Sequence, residues 1–275
     1  MIGRWTRIDN KAEAYESVSP YIYAVNDPVN AIDPDGNLII FINGFVPGQW
    51  LQKDNTRFFG SGVQNSNYRP YPGSRDFSSG APKYLGKSFD YWGNIDDAFM
   101  QGYKDNHSLY INGSSNNDSQ AEDRFSEGEK SGNNLISQLD AGKISLADGE
   151  TIKIVGHSQG GAFAAGLTSV LSKNERYKSV LQEVVYLEPH QPNDFNNPSG
   201  VKGTQISSEE DRVASKNSGS IFKGGKTSFS RIRGISNFIT NDTYEGDNLR
   251  GHSVSTNLDE IINYFRSQGV KVKVQ

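Results

Sequence analysis

The chain has 275 residues, enough for one large domain or two small ones, and a domain of that length hides roughly 70–75% of its unfolded surface. Its 28 Lys and Arg against 32 Asp and Glu leave a formal net charge of -4, which excludes a general attraction to nucleic acid. A mean hydropathy of -0.64 with no long apolar run excludes a transmembrane helix, and the absence of cysteine excludes disulfides and thiolate metal sites.

Along the chain, the N-terminal stretch MIGRWTRIDNKAEAYES lacks the apolar centre of a secretory signal, so export would depend on something else. Residues 19–36, SPYIYAVNDPVNAIDPDG, hold three prolines and close on Asp33-Pro34-Asp35-Gly36, a strong turn signal. This predicts an extended, turn-punctuated segment over 1–37 and a separate domain over 38–275. The domain opens on LIIFI (38–42), a continuous apolar run suited to a strand buried on both faces. KSFDYWG (87–93) reads as a weaker strand. Over 119–139, Ala121, Phe125, Gly128, Gly132, Leu135, Ile136 and Leu139 recur at helical spacing, with Ser119 as N-cap and Glu122 completing a capping box.

TIKIV (151–155) predicts a strand, 160–172 a helix of small residues, EVVYLEP (183–189) and GTQISS (203–208) two further strands, and 256–267 a last helix. The polar stretches 60–80, 105–118 and 190–200 read as loops. Strands alternating with helices imply an α/β domain, a mostly parallel sheet with helices on both faces.

The chemistry centres on TIKIVGHSQGGAFAAG (151–166). A serine hydroxyl needs a neighbouring base and donors for the developing oxyanion before it can act as a nucleophile. A strand that turns sharply into a helix projects such a serine from the sheet edge, and glycines two residues to either side keep the turn free of clashes. Here Gly156, Ser158 and Gly160 follow a strand and precede Gly161, Ala162, Ala164, Ala165 and Gly166, small residues that suit a helix pressed closely on the sheet. Ser158 is therefore the candidate nucleophile. The four histidines, His107, His157, His190 and His252, are scattered without metal-ligand spacing, and no metal or other cofactor is expected.

GHSQGG resembles the nucleophile elbow of the α/β-hydrolase superfamily, and within it lipase-like toxin domains, over roughly residues 38–267. The resemblance implies an oxyanion hole from the backbone N–H of Gln159 and a second N–H, that of Phe45, in the loop Asn43-Gly44-Phe45 after the first strand. Family members often carry His-Gly there, and Asn43 departs from that pattern. The triad order on this fold, Ser then acid then His, implies His252 as the base. His157 reads as structural, His190 as a residue lining the cleft, and His107 as part of a polar loop.

Asp211, after a strand and two residues before Val213, is the first candidate for the acid, and that is where lipase-like members often carry it. Asp242, Asp247, Glu188 and Asp194 remain open as rivals. From Arg212 to Arg233 there are six basic residues and no acidic one: Arg212, Lys216, Lys223, Lys226, Arg231 and Arg233. They read first as a solvated loop, and otherwise as a surface drawing anionic lipid head groups.

The N-terminal segment resembles the end of the RHS repeat-associated core, through Ser19-Pro20-Tyr21, Asn26-Asp27-Pro28-Val29 and Asp33-Pro34-Asp35-Gly36 in order. That resemblance implies a polymorphic toxin tip exported with an RHS-type effector, a membrane phospholipid or other ester as substrate, and an immunity protein as partner. Two other readings stay open: an esterase, thioesterase or peptidase on the same triad, and a catalytically silent binding module.

Overall fold

The computed structural model describes residues 38–45, 58–60, 91–105, 107–115, 119–144, 146, 149–208, 211, 230–241 and 252–274. In chain order the elements are β1 (Leu38–Ile42), β2 (Phe58–Gly60), α1 (Ile95–Tyr103), β3 (Ser108–Ile111), α2 (Ala121–Asp140), β4 (Ile152–His157), α3 (Gly160–Lys173), β5 (Leu181–Leu187), β6 (Lys202–Ser208), β7 (Asn237–Asn241) and α4 (Leu258–Ser267), the last entered through a 3-10 turn at Val254–Asn257.

The five apolar residues of β1 are satisfied by burial on both faces, and all five are fully buried. Leu38, Ile40 and Ile42 join Ile152, Ile154 and Val184 against α2 and α3 on one side. Ile39 and Phe41 join Val155, Val185 and Ile206 against α1 and α4 on the other. The strand order is β2-β3-β1-β4-β5-β6-β7. Six of the strands run parallel and β2 pairs antiparallel with β3. This is the α/β architecture that the alternation of elements predicts, a mostly parallel sheet with helices on both faces, and it agrees with the α/β-hydrolase-like fold that the resemblance of the elbow implies. Among the described residues no helix is long and apolar enough to cross a membrane.

The topology positions the site. From β1 the chain passes to β3 on one side and then returns to β4 on the other. The loops leaving β1 and β4 therefore both stand at the carboxyl ends of the strands, the edge at which open α/β sheets take their ligands.

Several expectations change. The predicted strand 87–93 is a bend and turn at Tyr91–Asn94 leading into α1, and its first four residues lie outside those described. β3 falls inside the predicted loop 105–118. Four apolar-leaning residues between polar flanks carry too little signal to stand out, and pairing with β1 makes them a strand. β7 is likewise recruited by pairing with β6.

The N-cap of α2 is Gln120, not Ser119, and Asp123, not Glu122, accepts the Gln120 N–H at 3.4 Å. Ser119 is taken instead by the guanidinium of Arg124, as described below. The small residues of α3 also serve two surfaces rather than the sheet alone. A Cβ on Gly156 would meet Ala164 at 2.8 Å, whereas one on Gly166 would lie 2.0 Å from the carbonyl oxygen of Phe125 on α2. The segment 1–37 lies outside the described residues.

Gly128 on α2 is the reciprocal contact, since its added Cβ would stand 2.0 Å from the Phe163 carbonyl oxygen on α3. Gly128→Ala is expected to force the two helices apart and to lower stability by about 1–3 kcal/mol, measured by equilibrium denaturation.

Candidate active site

Ser158 follows the last residue of β4 with φ of +56°, a left-handed backbone that non-glycine residues seldom adopt. The turn is held from both sides. The Ser158 N–H donates to the Leu187 carbonyl at 3.0 Å, and its own carbonyl accepts from the N–H groups of Gly161 and His190, each at 3.0 Å. The register pairing Ile42 with Gly156 brings Gly44 alongside Ser158. A Cβ on Gly44 would lie 2.5 Å from the Ser158 Cβ, and one on Gly160 would lie 2.4 Å from the Ile42 carbonyl oxygen. Glycine is required at both positions by the closeness of the β1 loop and the elbow.

His252 stands on the turn before the 3-10 segment and meets Ser158 across 94 positions of sequence. The Ser158 hydroxyl lies 2.6 Å from its Nε2, and its Nδ1 lies 2.7 Å from Asp211 Oδ2. Asp211 is almost fully buried, while His252 keeps part of its ring at the surface. With Nδ1 donating to the carboxylate, Nε2 is free to accept the serine proton.

Both ring nitrogens of His252 are thus taken, which leaves no direct place there for Glu188. That carboxyl accepts the Ser208 N–H at 2.7 Å and the Asn257 amide at 3.0 Å through Oε1. Burial, and then the charge of Asp211, hold its pKa well above the usual carboxylate range, so Glu188 is a neutral acid behind the Asp211–His252 pair. Asp194 is an exposed loop carboxylate. Asp242 and Asp247 lie outside the described residues.

His190 is fully buried beside the elbow. Burial, with the nearby charges of Arg124 and His252, pushes its pKa down to about 2, which keeps it neutral. Rather than opening into a cleft, its backbone braces Ser158. Arg124, also fully buried, ties the start of α2 to this loop. It donates to the Ser119 carbonyl at 2.5 Å, the Ser119 hydroxyl at 3.0 Å and the Gln191 side-chain oxygen at 2.7 Å. No sequence pattern marks Arg124, because an arginine in a polar helix reads as solvated until the loop folds over it.

Gln159 follows the serine into α3, and its side-chain oxygen accepts the Ser115 N–H at 2.9 Å. Phe45 follows Gly44, whose own N–H is committed to the Tyr91 hydroxyl at 2.8 Å. His157 contacts Tyr91 and the His252 backbone. His107 precedes β3 and pairs with Glu150 at 2.8 Å, at the opposite end of the sheet. Among the basic run, Arg231 stacks over Phe238 and Arg233 bonds Asn196 at 2.8 Å. Arg212, Lys216, Lys223 and Lys226 lie outside the described residues. Among the described residues no three His, Cys, Asp or Glu side chains converge as a metal site.

No family model and no curated protein sequence matches the chain. Solved structures are similar at low identity. One is a cutinase-like protein from Cryptococcus sp., with 9% identity and a TM-score of 0.38 over 86% of this chain and 97% of that one. Another is a lipase of Bacillus licheniformis in its mature form, with 13% and 0.39 over 89% and 96%. A third, the histone deacetylase Clr3, matches with 12% and 0.39 over 85% of this chain and 32% of that one. What the site does chemically is read from its own geometry.

A neutral buried Glu188 carries a testable sign. Its pKa is raised on folding, so its contribution to stability is present below the ordinary carboxyl pKa and is lost as pH rises towards the folded value. Glu188→Gln keeps an uncharged donor and acceptor in place. Its melting temperature relative to wild type should therefore rise between pH 5 and pH 8. A constant difference across that range would show that Glu188 is ionised in the native state.

Proposed function

We propose that this chain is a serine ester hydrolase of the lipase or phospholipase type, acting through Ser158, His252 and Asp211 with no cofactor. The observation that carries the reading is the continuous hydrogen-bond path from Asp211 Oδ2 through the two nitrogens of His252 to the Ser158 hydroxyl, at 2.7 and 2.6 Å. In this reading the Ser158 oxygen attacks the ester carbonyl while its proton passes to His252 Nε2. Asp211 holds the required tautomer and stabilises the imidazolium. The N–H groups of Gln159 and Phe45 receive the oxyanion. Collapse of the tetrahedral intermediate breaks the ester bond, and the leaving alkoxide takes the proton from His252. Water then enters by the reverse path, giving its proton to His252, and releases the acid from the acyl-serine.

The substrate class and biological setting rest on the sequence resemblances. A membrane phospholipid as substrate, an immunity protein as partner, contact with an anionic membrane surface and export with an RHS-type effector follow from the elbow and from residues 19–36.

Ser158→Ala is expected to abolish ester turnover and labelling by a fluorophosphonate while leaving the fold intact. Unchanged hydrolysis of a short-chain ester by that variant would overturn the assignment. Asp211→Asn preserves shape but favours the wrong histidine tautomer, which costs about 10⁴-fold in kcat in a well-studied serine protease. A loss of several orders of magnitude is expected here, and a far smaller one for Asp242→Asn.

Lipid analysis tests the substrate class. Cells expressing the chain without an immunity protein should accumulate free fatty acid and lysophospholipid before lysis. Intact lipids through growth arrest would point instead to a soluble ester or a peptide.

A further inference from the structure

Three hydrogen bonds run beside the Ser158–His252–Asp211 path and take no part in the proton transfer proposed above. The Gly44 N–H donates to the Tyr91 hydroxyl at 2.8 Å. That hydroxyl meets His157 Nδ1, and His157 Nε2 lies 3.0 Å from the backbone carbonyl oxygen of His252. The direction of each bond follows from counting protons. Gly44 can only donate, so the single Tyr91 proton goes to His157 Nδ1. A neutral His157 then carries its proton on Nε2 and donates it to the His252 carbonyl. Burial keeps His157 neutral by pushing its pKa down to about 3.

The path joins the loop after β1 to the backbone of His252 through the last residue of β4. Neither end is on a strand. Gly44 lies two residues beyond β1, and His252 stands on the turn before the 3-10 segment. His157, by contrast, is paired with Leu187 inside the sheet and is almost wholly buried. It is in hydrogen-bond contact with both the Tyr91 hydroxyl and the His252 carbonyl. Commitment of the Gly44 N–H to Tyr91 holds the Asn43–Gly44 peptide, and the Asn43 side-chain amide donates to the Gly44 carbonyl at 2.8 Å, which orients the next peptide, the one that leads into Phe45.

We propose that Tyr91 and His157 are positioning residues that set the oxyanion loop and the base at fixed places relative to Ser158. The inference rests on the reading of Ser158 and His252 as nucleophile and base. Its consequence is that an error on either side of the path is felt in the transition state more than in substrate binding, because the donors and the base are needed only once charge develops.

The test uses the full chain with Tyr91→Phe, His157→Asn, His157→Gln and the Tyr91→Phe/His157→Asn double variant. Retention of native near-ultraviolet dichroism is checked for each. Asn keeps an acceptor near the Nδ1 position and Gln keeps a donor near the Nε2 position, so each preserves one half of the path. Tyr91→Phe and His157→Asn should lower kcat on a soluble short-chain ester by about 10- to 100-fold, with KM within about twofold. The double variant should lose no more than the worse single, because one path is broken once or twice. His157→Gln, which keeps only the other half of the path, should show a loss comparable to that of His157→Asn.

Folded single variants with wild-type kcat, a change confined to KM, or fully additive losses would overturn the proposal. A wild-type chain that a fluorophosphonate fails to label would instead overturn the reading of Ser158, on which the proposal depends.

Discussion

The left-handed backbone at Ser158 governs the architecture around it. A serine forced to φ of +56° at the end of a buried strand stores strain of order 1–3 kcal/mol, and it persists only where the surroundings leave no alternative. Here three backbone hydrogen bonds hold the turn. The β1 loop approaches so closely that Gly44 and Gly160 could not carry a side chain without moving backbone. The apolar run of β1 supplies the force, since burying it on both faces sets its register against β4. That register in turn sets the distance between the serine and the loop assigned here to the oxyanion.

Electrostatics at this sheet edge follow from burial. Glu188, His157 and His190 are all removed from water, and in each the largest effect on the pKa is the cost of carrying charge there. Burial disfavours the charged form of all three, and Asp211 is the carboxylate that faces His252, at 2.7 Å from Nδ1. Arg124 keeps its charge although burial lowers its pKa to about 10, and it is held by oxygen acceptors of Ser119 and Gln191.

The opposite edge of the sheet holds a different polar cluster. Glu183 accepts from the hydroxyls of Tyr103 and Tyr264 and pairs with Lys202 at 2.6 Å. These residues come from α1, α4, β5 and β6, so the cluster fastens the helices of one face to the sheet's lower end.

The amino-acid order alone determined the central strands, the elbow and the two long helices behind it. Those signals are local: an apolar run, a helical period, glycines around a serine. It also singled out Ser158 and His252, one by its strand and helix context and the other by its place late in the chain. The tertiary structure decided what depends on distance between remote segments. Which of five carboxylates meets His252 is such a question, and Asp211 answers it from 41 residues away. So are the short strands β3 and β7, which exist because a neighbour pairs with them. The same holds for Tyr91, which the sequence placed in a strand and the fold brought to His157, and for Glu188, whose pKa is raised first by burial and then by the Asp211 that only folding sets beside it.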